Sequence, residues 1–188
     1  MDIRPENDDE HDVVLDIVRQ AFGREGAVVA ELVDALRRDD PDAVSLVAVE
    51  AGSLVAVEEG EVAGHVMFSR SLLDAPRRLV DVQVLSPLAV RPAYQRKGLG
   101  RALIRDGLAR MDAMGVPLVF LEGDPGYYPR SGFTPGGDLG FRKPSLRIPD
   151  AAFQVVRLTA YEPWMTGTLV YSSTFWDLDC VGLRDPAA

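Results

Sequence analysis

Residues 85–103 read L-S-P-L-A-V-R-P-A-Y-Q-R-K-G-L-G-R-A-L, and this stretch decides the fold. An apolar run ending at Val90 predicts a buried strand, and residues 97–114 predict a helix packed on a sheet. The two glycines of the intervening turn lack a Cβ, so a ligand can approach the backbone closely. The unpaired N–H groups at a helix N-terminus favour an anion, and we expect a diphosphate here. The same turn carries three cationic side chains, those of Arg96, Lys97 and Arg101.

Two common phosphate-binding fingerprints are absent from this turn. A Walker A loop needs Lys and Ser or Thr directly after its last glycine, whereas Gly98 is followed by Leu99 and Gly100. The dinucleotide fingerprint needs a third glycine where the chain has Leu103. We therefore expect neither ATP nor NAD in this turn. Taken alone, the turn also fits an ordinary strand–turn–helix corner with incidental basic residues.

A second segment favours a ligand-binding turn over an ordinary corner. Residues 118–121 read as a short buried strand, and residues 122–133 read E-G-D-P-G-Y-Y-P-R-S-G-F. The Q-x-x-G-x-G turn and this segment together resemble the GCN5-related N-acetyltransferase (GNAT) superfamily. The form G-D-P-x-Y-Y-x-R-x-G-F is similar to its YhbS-like branch. Ser131 departs from that branch, which usually has an aromatic there, and we expect altered packing beside the tyrosine. The resemblance covers roughly residues 2–175 and is specific in 82–133.

The resemblance implies both a fold and an activity. The fold would be α+β, with a central mixed, mostly antiparallel sheet flanked by helices and splayed between its central strands. Residues 1–188 would form a single N-acetyltransferase domain. The activity would be acetyl-CoA-dependent transfer to a primary amine of a small molecule or peptide, by direct attack in a ternary complex. The alternative is a catalytically silent module that binds or senses acyl-CoA. Nothing in the sequence identifies the amine.

The resemblance also assigns the cofactor-binding residues. The pantetheine arm would pair with the end of the central strand, where Pro87 removes one ladder donor and fits a break in the pairing. The pyrophosphate would bind the turn. The implied acetyl-CoA-binding residues are Leu88, Ala89, Val90, Gln95, Arg96, Lys97, Gly98, Leu99, Gly100 and Arg101.

Two further residues are candidates for proton transfer. The resemblance implies that Tyr128 protonates the departing CoA thiolate, and a phenol with a pKa near ~10 holds its proton at neutral pH. The alternative is a tyrosine that only packs on the CoA arm. Glu122, at a strand end, is the first choice of general base, followed by His65 and Asp81. An ordered water chain would make a dedicated base unnecessary.

Composition bounds the remaining function classes. The net charge is −9, with 29 acidic and 20 basic residues, which argues against a nucleic-acid partner. The single Cys180 forms no intramolecular disulfide, and no Cys and His cluster suggests a metal. The acidic N-terminus has no apolar signal region and no apolar run approaches 18 residues, so we expect a cytoplasmic protein without a membrane partner. The sequence leaves a homodimer open.

Periodicity and turn residues predict the other elements. Residues 45–52 recur at 53–60 with seven of eight positions identical; either both copies are strands joined by a turn at 51–52, or one copy is a loop. Further strands are predicted at 2–5, 62–69, 79–90, 153–160 and 168–174, helices at 13–22 and 27–38, and loops at 70–79 and 134–150.

Overall fold

The structure is a computed structural model that describes residues 2–50 and 61–183. The chain folds into two compact units. The first unit comprises Met1–Phe68 and Ser86–Gly107, and the second comprises Ser69–Leu85 and Leu108–Ala188. The single domain expected over residues 1–188 stays a prediction.

The first unit combines an antiparallel part of the sheet with three helices. Its elements are β1 (Asp2–Pro5), α1 (His11–Phe22), α2 (Gly26–Asp39), β2 (Val44–Glu50), the first part of β3 (Glu61–Asp74), the second part of β4 (Leu79–Val90) and most of α3 (Leu99–Ala113). β1 pairs antiparallel with β2, and β2 pairs antiparallel with β3. The strand predicted at residues 2–5 and both predicted N-terminal helices are confirmed.

The helices of this unit form because each presents an apolar stripe to the core. α1 buries four residues at helical spacing, Val14, Leu15, Ile17 and Val18, and it ends at Gly23 with φ +55°. α3 approaches β3 closely where glycines remove side chains. A Cβ built on Gly64 would lie 3.1 Å from the Leu103 side chain, and one on Gly107 would lie 2.3 Å from the Phe68 ring. These contacts hold the helix that begins at the predicted phosphate turn.

The second unit adds the remaining strands, namely β5 (Leu118–Glu122), β6 (Thr134–Pro135), β7 (Phe153–Arg157) and β8 (Thr168–Val170), followed by α4 (Ser173–Asp177). β4 pairs parallel with β5, β5 and β6 each pair antiparallel with β7, and β8 pairs antiparallel with β3. Phe120 anchors the core, stacking on Phe153 at 5.7 Å and meeting Phe141 edge-on at 5.2 Å. Across the described residues, eight strands form one open, mostly antiparallel sheet, which confirms the predicted mixed class.

Three sequence predictions need correction. The predicted loop at 70–79 is mostly strand, because β3 continues to Asp74 and pairs with β8. That long-range partner satisfies backbone groups that the polar sequence does not reveal. The predicted strand 168–174 ends at Val170 and is followed by α4, and the strand at 153–160 ends at Arg157. The second repeat copy, 53–60, and the turn at 51–52 lie outside the described residues.

Candidate active site

The turn that is predicted to bind phosphate has a left-handed backbone at two positions. Arg96 has φ +60° and Gly98 has φ +93°, both in the left-handed region. The Ala102 N–H donates to the Gly98 carbonyl over 3.0 Å, which places the preceding amides in the first turn of α3. Those N–H groups have no partner within the helix. Among the described residues, apart from its chain neighbours, no atom lies within 4 Å of a Cβ built on Gly98, so these residues leave this side of the turn open.

The entrance to the turn is fixed by Arg91, which the sequence analysis did not single out. Its guanidinium donates to the Val62 carbonyl over 3.0 Å and to Asp16 over 3.0 Å, joining β3 to α1. Its backbone N–H donates to the Ala63 carbonyl over 2.9 Å. The partners lie far away in sequence, and no local pattern points to them. Arg91 therefore fixes the backbone where β4 ends.

The turn itself is tied back to β4. The Gln95 side-chain amide donates to the Val90 carbonyl over 3.0 Å, so two of the predicted cofactor residues are joined directly. The Lys97 ammonium lies 5.2 Å from the centre of the Tyr94 ring, a cation–π contact. Three exposed cations stand on the turn and the first turn of α3, namely Arg96, Lys97 and Arg101. The arrangement concentrates positive charge at a helix N-terminus, which is the chemistry of an anion site.

Pro87 predicts a break in the pairing of the central strand, and that break stays a prediction. Among the described residues, the ladder with β5 joins Gln83 to Val119 and Val84 to Phe120, and β4 continues to Val90. Pro87 has no N–H to donate at this point. The backbone of β4 beyond Val84 is therefore not part of the ladder with β5, and this segment contains the predicted residues Leu88, Ala89 and Val90.

Tyr128 lies in the second unit at the start of a 3-10 turn, Tyr128–Ser131. Its ring meets Tyr127 edge-on at 5.0 Å and Phe133 at 5.9 Å. Burial, with smaller contributions from the neighbouring Tyr127 and Asp124, raises the pKa of its phenol to about 12. The hydroxyl is therefore protonated at neutral pH, as a proton donor must be.

Glu122 ends β5 and is held by partners that the sequence analysis missed. One carboxylate oxygen accepts a hydrogen bond from the Tyr171 hydroxyl over 2.8 Å, and the other accepts one from the Gly182 N–H over 3.0 Å. Burial raises the pKa of this carboxyl, while the two donors and the positive charge of Arg147 oppose the rise. The result is a half-buried carboxylate whose pKa lies above its ordinary value.

The other two candidate bases stand in different surroundings. His65 is fully buried in the first unit, with its Nε2 2.8 Å from the Ser45 hydroxyl. That hydroxyl also contacts Glu6, which forms an ion pair with Arg37. Burial lowers the pKa of His65 to about 3, so its ring is neutral. Asp81 is exposed and pairs with Arg70 in the second unit.

Two other kinds of site are missing from the described part of the chain. Within residues 2–50 and 61–183, no three His, Cys, Asp or Glu side chains are grouped to hold a metal ion. Among the helices of these same ranges, none has the length and apolar character needed to cross a membrane.

A mixed sheet and a cationic turn at the N-terminus of a helix are features expected of a CoA-dependent acyltransferase. Residues 2–136 match the family model for the acetyltransferase (GNAT) domain. The chain belongs to the GNAT family of N-acetyltransferases, which confirms the predicted family and enzyme class. Its chemistry is accordingly acetyl-CoA-dependent acetyl transfer.

Similar proteins support this assignment. The chain is 35% identical over 160 residues to the uncharacterised N-acetyltransferase YjhQ of Escherichia coli, covering 82% of each. It is 35% identical over 144 residues to the uncharacterised N-acetyltransferase YhbS of the same organism, covering 76% of this chain and 78% of YhbS.

Two solved structures share the fold. A crystal structure of Escherichia coli YhbS in complex with CoA has a TM-score of 0.78 at 30% identity, covering 92% of this chain and 90% of that one. A GNAT family acetyltransferase from Brucella melitensis in complex with acetyl-CoA has a TM-score of 0.69 at 30% identity, covering 93% and 97%. These likenesses support acetyl-CoA as the co-substrate.

Proposed function

We propose that this enzyme transfers the acetyl group of acetyl-CoA to a primary amine of a small molecule or peptide, by direct attack in a ternary complex. The observation that carries the proposal is the turn at 95–101. Its left-handed backbone at Arg96 and Gly98 opens the N-terminus of α3, and three cations surround it. A diphosphate fits this chemistry, because amide donors and positive charge both favour an anion.

The first unit supplies the proposed CoA contacts. The pyrophosphate would meet the backbone of residues 95–101, and the pantetheine arm would pair with Leu88 and Val90. This assignment is supported by the ladder of β4 with β5, which among the described residues reaches no further than Val84. A backbone N–H near Leu88 would then stabilise the oxyanion that forms when the amine attacks the thioester.

The second unit supplies the proposed proton transfers. The amine nitrogen attacks the thioester carbon, and the C–S bond breaks to release the CoA thiolate. Tyr128 donates its phenol proton to the sulfur, and Glu122 accepts the proton that the amine loses. Solvent exchange then returns a proton from Glu122 to the phenolate, so protons balance over one turnover. The raised pKa of the Tyr128 phenol keeps it protonated until the thiolate forms.

Glu122 is suited to the base role by its surroundings. A general base works best with a pKa near the working pH, and burial raises the pKa of this carboxyl. The donors Tyr171 and Gly182 hold the carboxylate in place without neutralising it. Each oxygen retains capacity to accept a further bond, because an ionised carboxylate offers about four acceptor sites.

A cytoplasmic location completes the proposal. The sequence contains a single cysteine, Cys180, and therefore no intramolecular disulfide, which is typical of proteins in a reducing compartment.

The binding half of the proposal is tested at Gly98. Gly98→Val places a branched side chain on a left-handed residue of the turn, and acetyl-CoA affinity measured by calorimetry should fall at least tenfold. Gly115→Val is the matched control, because Gly115 also has a positive φ, +76°, and open space, but stands past the other end of α3. Affinity within twofold of wild type for Gly98→Val would overturn the assignment of the turn.

The catalytic half is tested by thiol release from acetyl-CoA with a panel of primary amines. Release that depends on an amine, with stoichiometric acetylated product, supports the enzyme. Tight acetyl-CoA binding without amine-dependent release across small-molecule and peptide amines would instead support the silent binding module.

A further inference from the structure

The glycine that follows β5 has a fully bonded backbone. The Gly123 N–H donates to the Ala152 carbonyl over 3.0 Å, and the Gly123 carbonyl accepts from the Gln154 side-chain amide over 3.2 Å. Gln154 is buried and belongs to β7. With both of its polar groups engaged, Gly123 cannot shift without breaking hydrogen bonds.

The chain then reverses through a turn organised by Asp124. The Asp124 carboxylate accepts the Gly126 N–H over 2.7 Å, and its carbonyl accepts the Tyr127 N–H over 3.0 Å. This is an Asx-type turn, in which the aspartate side chain mimics backbone. The turn brings the next side chain, Tyr128, back over Gly123.

The ring of Tyr128 occupies the space that a side chain on Gly123 would fill. A Cβ built on Gly123 would lie 2.3, 2.9 and 3.2 Å from three carbons of that ring. The φ of Gly123 is outside the left-handed region, so the backbone itself would accept alanine. Glycine is therefore required by the tyrosine ring and not by the backbone conformation.

We propose that Gly123 is a positioning residue for Tyr128: its lack of a side chain fixes where the ring, and therefore the phenol hydroxyl, lies. The inference rests on the proposed role of Tyr128 as proton donor. The ring is in contact range of a Cβ on Gly123 and makes T-shaped contacts with the rings of Tyr127 and Phe133. A methyl group on Gly123 displaces the ring by about 1 Å, since ordinary contact begins near 3.4 Å.

The kinetic test is Gly123→Ala. Misplacing a reacting group by 1 Å costs up to about 10²-fold in rate. We expect kcat to fall roughly tenfold or more, never beyond the loss caused by Tyr128→Phe, with acetyl-CoA affinity within twofold of wild type. In a Tyr128→Phe background the same alanine should leave kcat unchanged, because the hydroxyl it misplaces is already gone. A purely structural effect would lower kcat in both backgrounds.

A stability test isolates the contact itself. Gly123→Ala should lower the denaturant midpoint in the wild-type and Tyr128→Phe backgrounds, which both keep the ring, and should have little effect in a Tyr128→Ala background. If the single variant does not fold, recovery of folding in the Tyr128→Ala background supports the contact and its failure overturns it. Gly137→Ala is the matched control, because within residues 2–50 and 61–183 no atom beyond its chain neighbours lies within 4 Å of a Cβ built on Gly137, and its φ is also outside the left-handed region.

The outcomes separate the two proposals. Wild-type kcat for Gly123→Ala, with Tyr128→Phe impaired, overturns the positioning role alone. Wild-type kcat for Tyr128→Phe overturns the catalytic role of the tyrosine and the positioning role with it. In that case the stability test still reports whether the ring rests on Gly123.

Discussion

Tyr128→Phe removes one hydroxyl and keeps the ring. The contacts of the ring with Tyr127, Phe133 and the Gly123 backbone involve carbon atoms that phenylalanine retains. We therefore expect the fold and the affinity for acetyl-CoA to be preserved. The change isolates what the phenol contributes after the C–S bond begins to break.

The surroundings of Tyr128 determine how much kcat should fall in Tyr128→Phe. Burial raises the phenol pKa to about 12, whereas the departing thiol resembles cysteine, with a pKa near ~8.5. Proton transfer from Tyr128 to the thiolate is uphill until Glu122 returns a proton to the phenolate, so the effect on the rate comes mainly from the hydrogen bond that the phenol donates to the developing negative sulfur before the proton moves. Hydrogen bonds to charged groups contribute about 1.5–3 kcal/mol. At about 1.4 kcal/mol per decade, this corresponds to a kcat loss between roughly 10- and 100-fold.

The assay is thiol release at saturating acetyl-CoA and amine, repeated under single-turnover conditions so that product release does not mask the chemical step. Tyr161→Phe is the control, since it removes a tyrosine hydroxyl elsewhere in the second unit while keeping the ring beside Arg157. Unchanged kcat in the single-turnover experiment for Tyr128→Phe would refute the reasoning and leave catalysis to the oxyanion donor and positioning.

Two further predictions concern stability. Because the folded-state pKa of His65 is lowered from 6.5 to about 3, the unfolded chain binds a proton below pH 6.5 that the folded protein does not. The stability contributed by the neutral ring is fully present above pH 6.5 and is lost as the pH falls toward 3. The free energy of unfolding lost by pH 5 is about 2 kcal/mol. Urea denaturation of wild type and His65→Leu should show a shallower pH 5–7 dependence in the variant, and equal slopes would contradict this. Separately, Gly107→Ala should reduce the free energy of unfolding by about 1–2 kcal/mol, because overpacking against Phe68 exceeds the helix-propensity gain. Phe68→Leu should relieve that loss in a double-mutant cycle, and a stabilising Gly107→Ala would refute it.

Much of the fold followed from local pattern. The apolar spacing of α1 and α2 predicts both helices, because burial of one helical face needs residues three and four apart. The turn before α3 is also local, since Gly98 supplies the left-handed backbone within a few residues of the helix it opens. Tyr128 is indicated by the resemblance of residues 122–133 to the GNAT family, and its role stays a prediction.

The hydrogen-bond partners of Glu122 and Arg91 depend on the tertiary structure. Glu122 meets Tyr171 and Gly182, which are 49 and 60 residues away, and Arg91 meets Asp16 across 75 residues. Local preferences constrain φ and ψ over a few residues, whereas these contacts depend on which strands pair and in what register.

The length of β3 also depends on tertiary contacts that the local sequence does not reveal. The sequence predicts a loop at residues 70–74, whereas these residues are strand, and β8 pairs with 72–74 across about 100 residues of sequence. The role of Gly123 is also tertiary in origin, since its glycine is required by the ring of Tyr128 and not by its own φ. Local sequence patterns are enough to predict the helices and the family, whereas the anion site at the turn stays a prediction. Only the folded chain decided what surrounds Glu122 and Tyr128, because burial and long-range pairing set both the pKa of a side chain and the space around it.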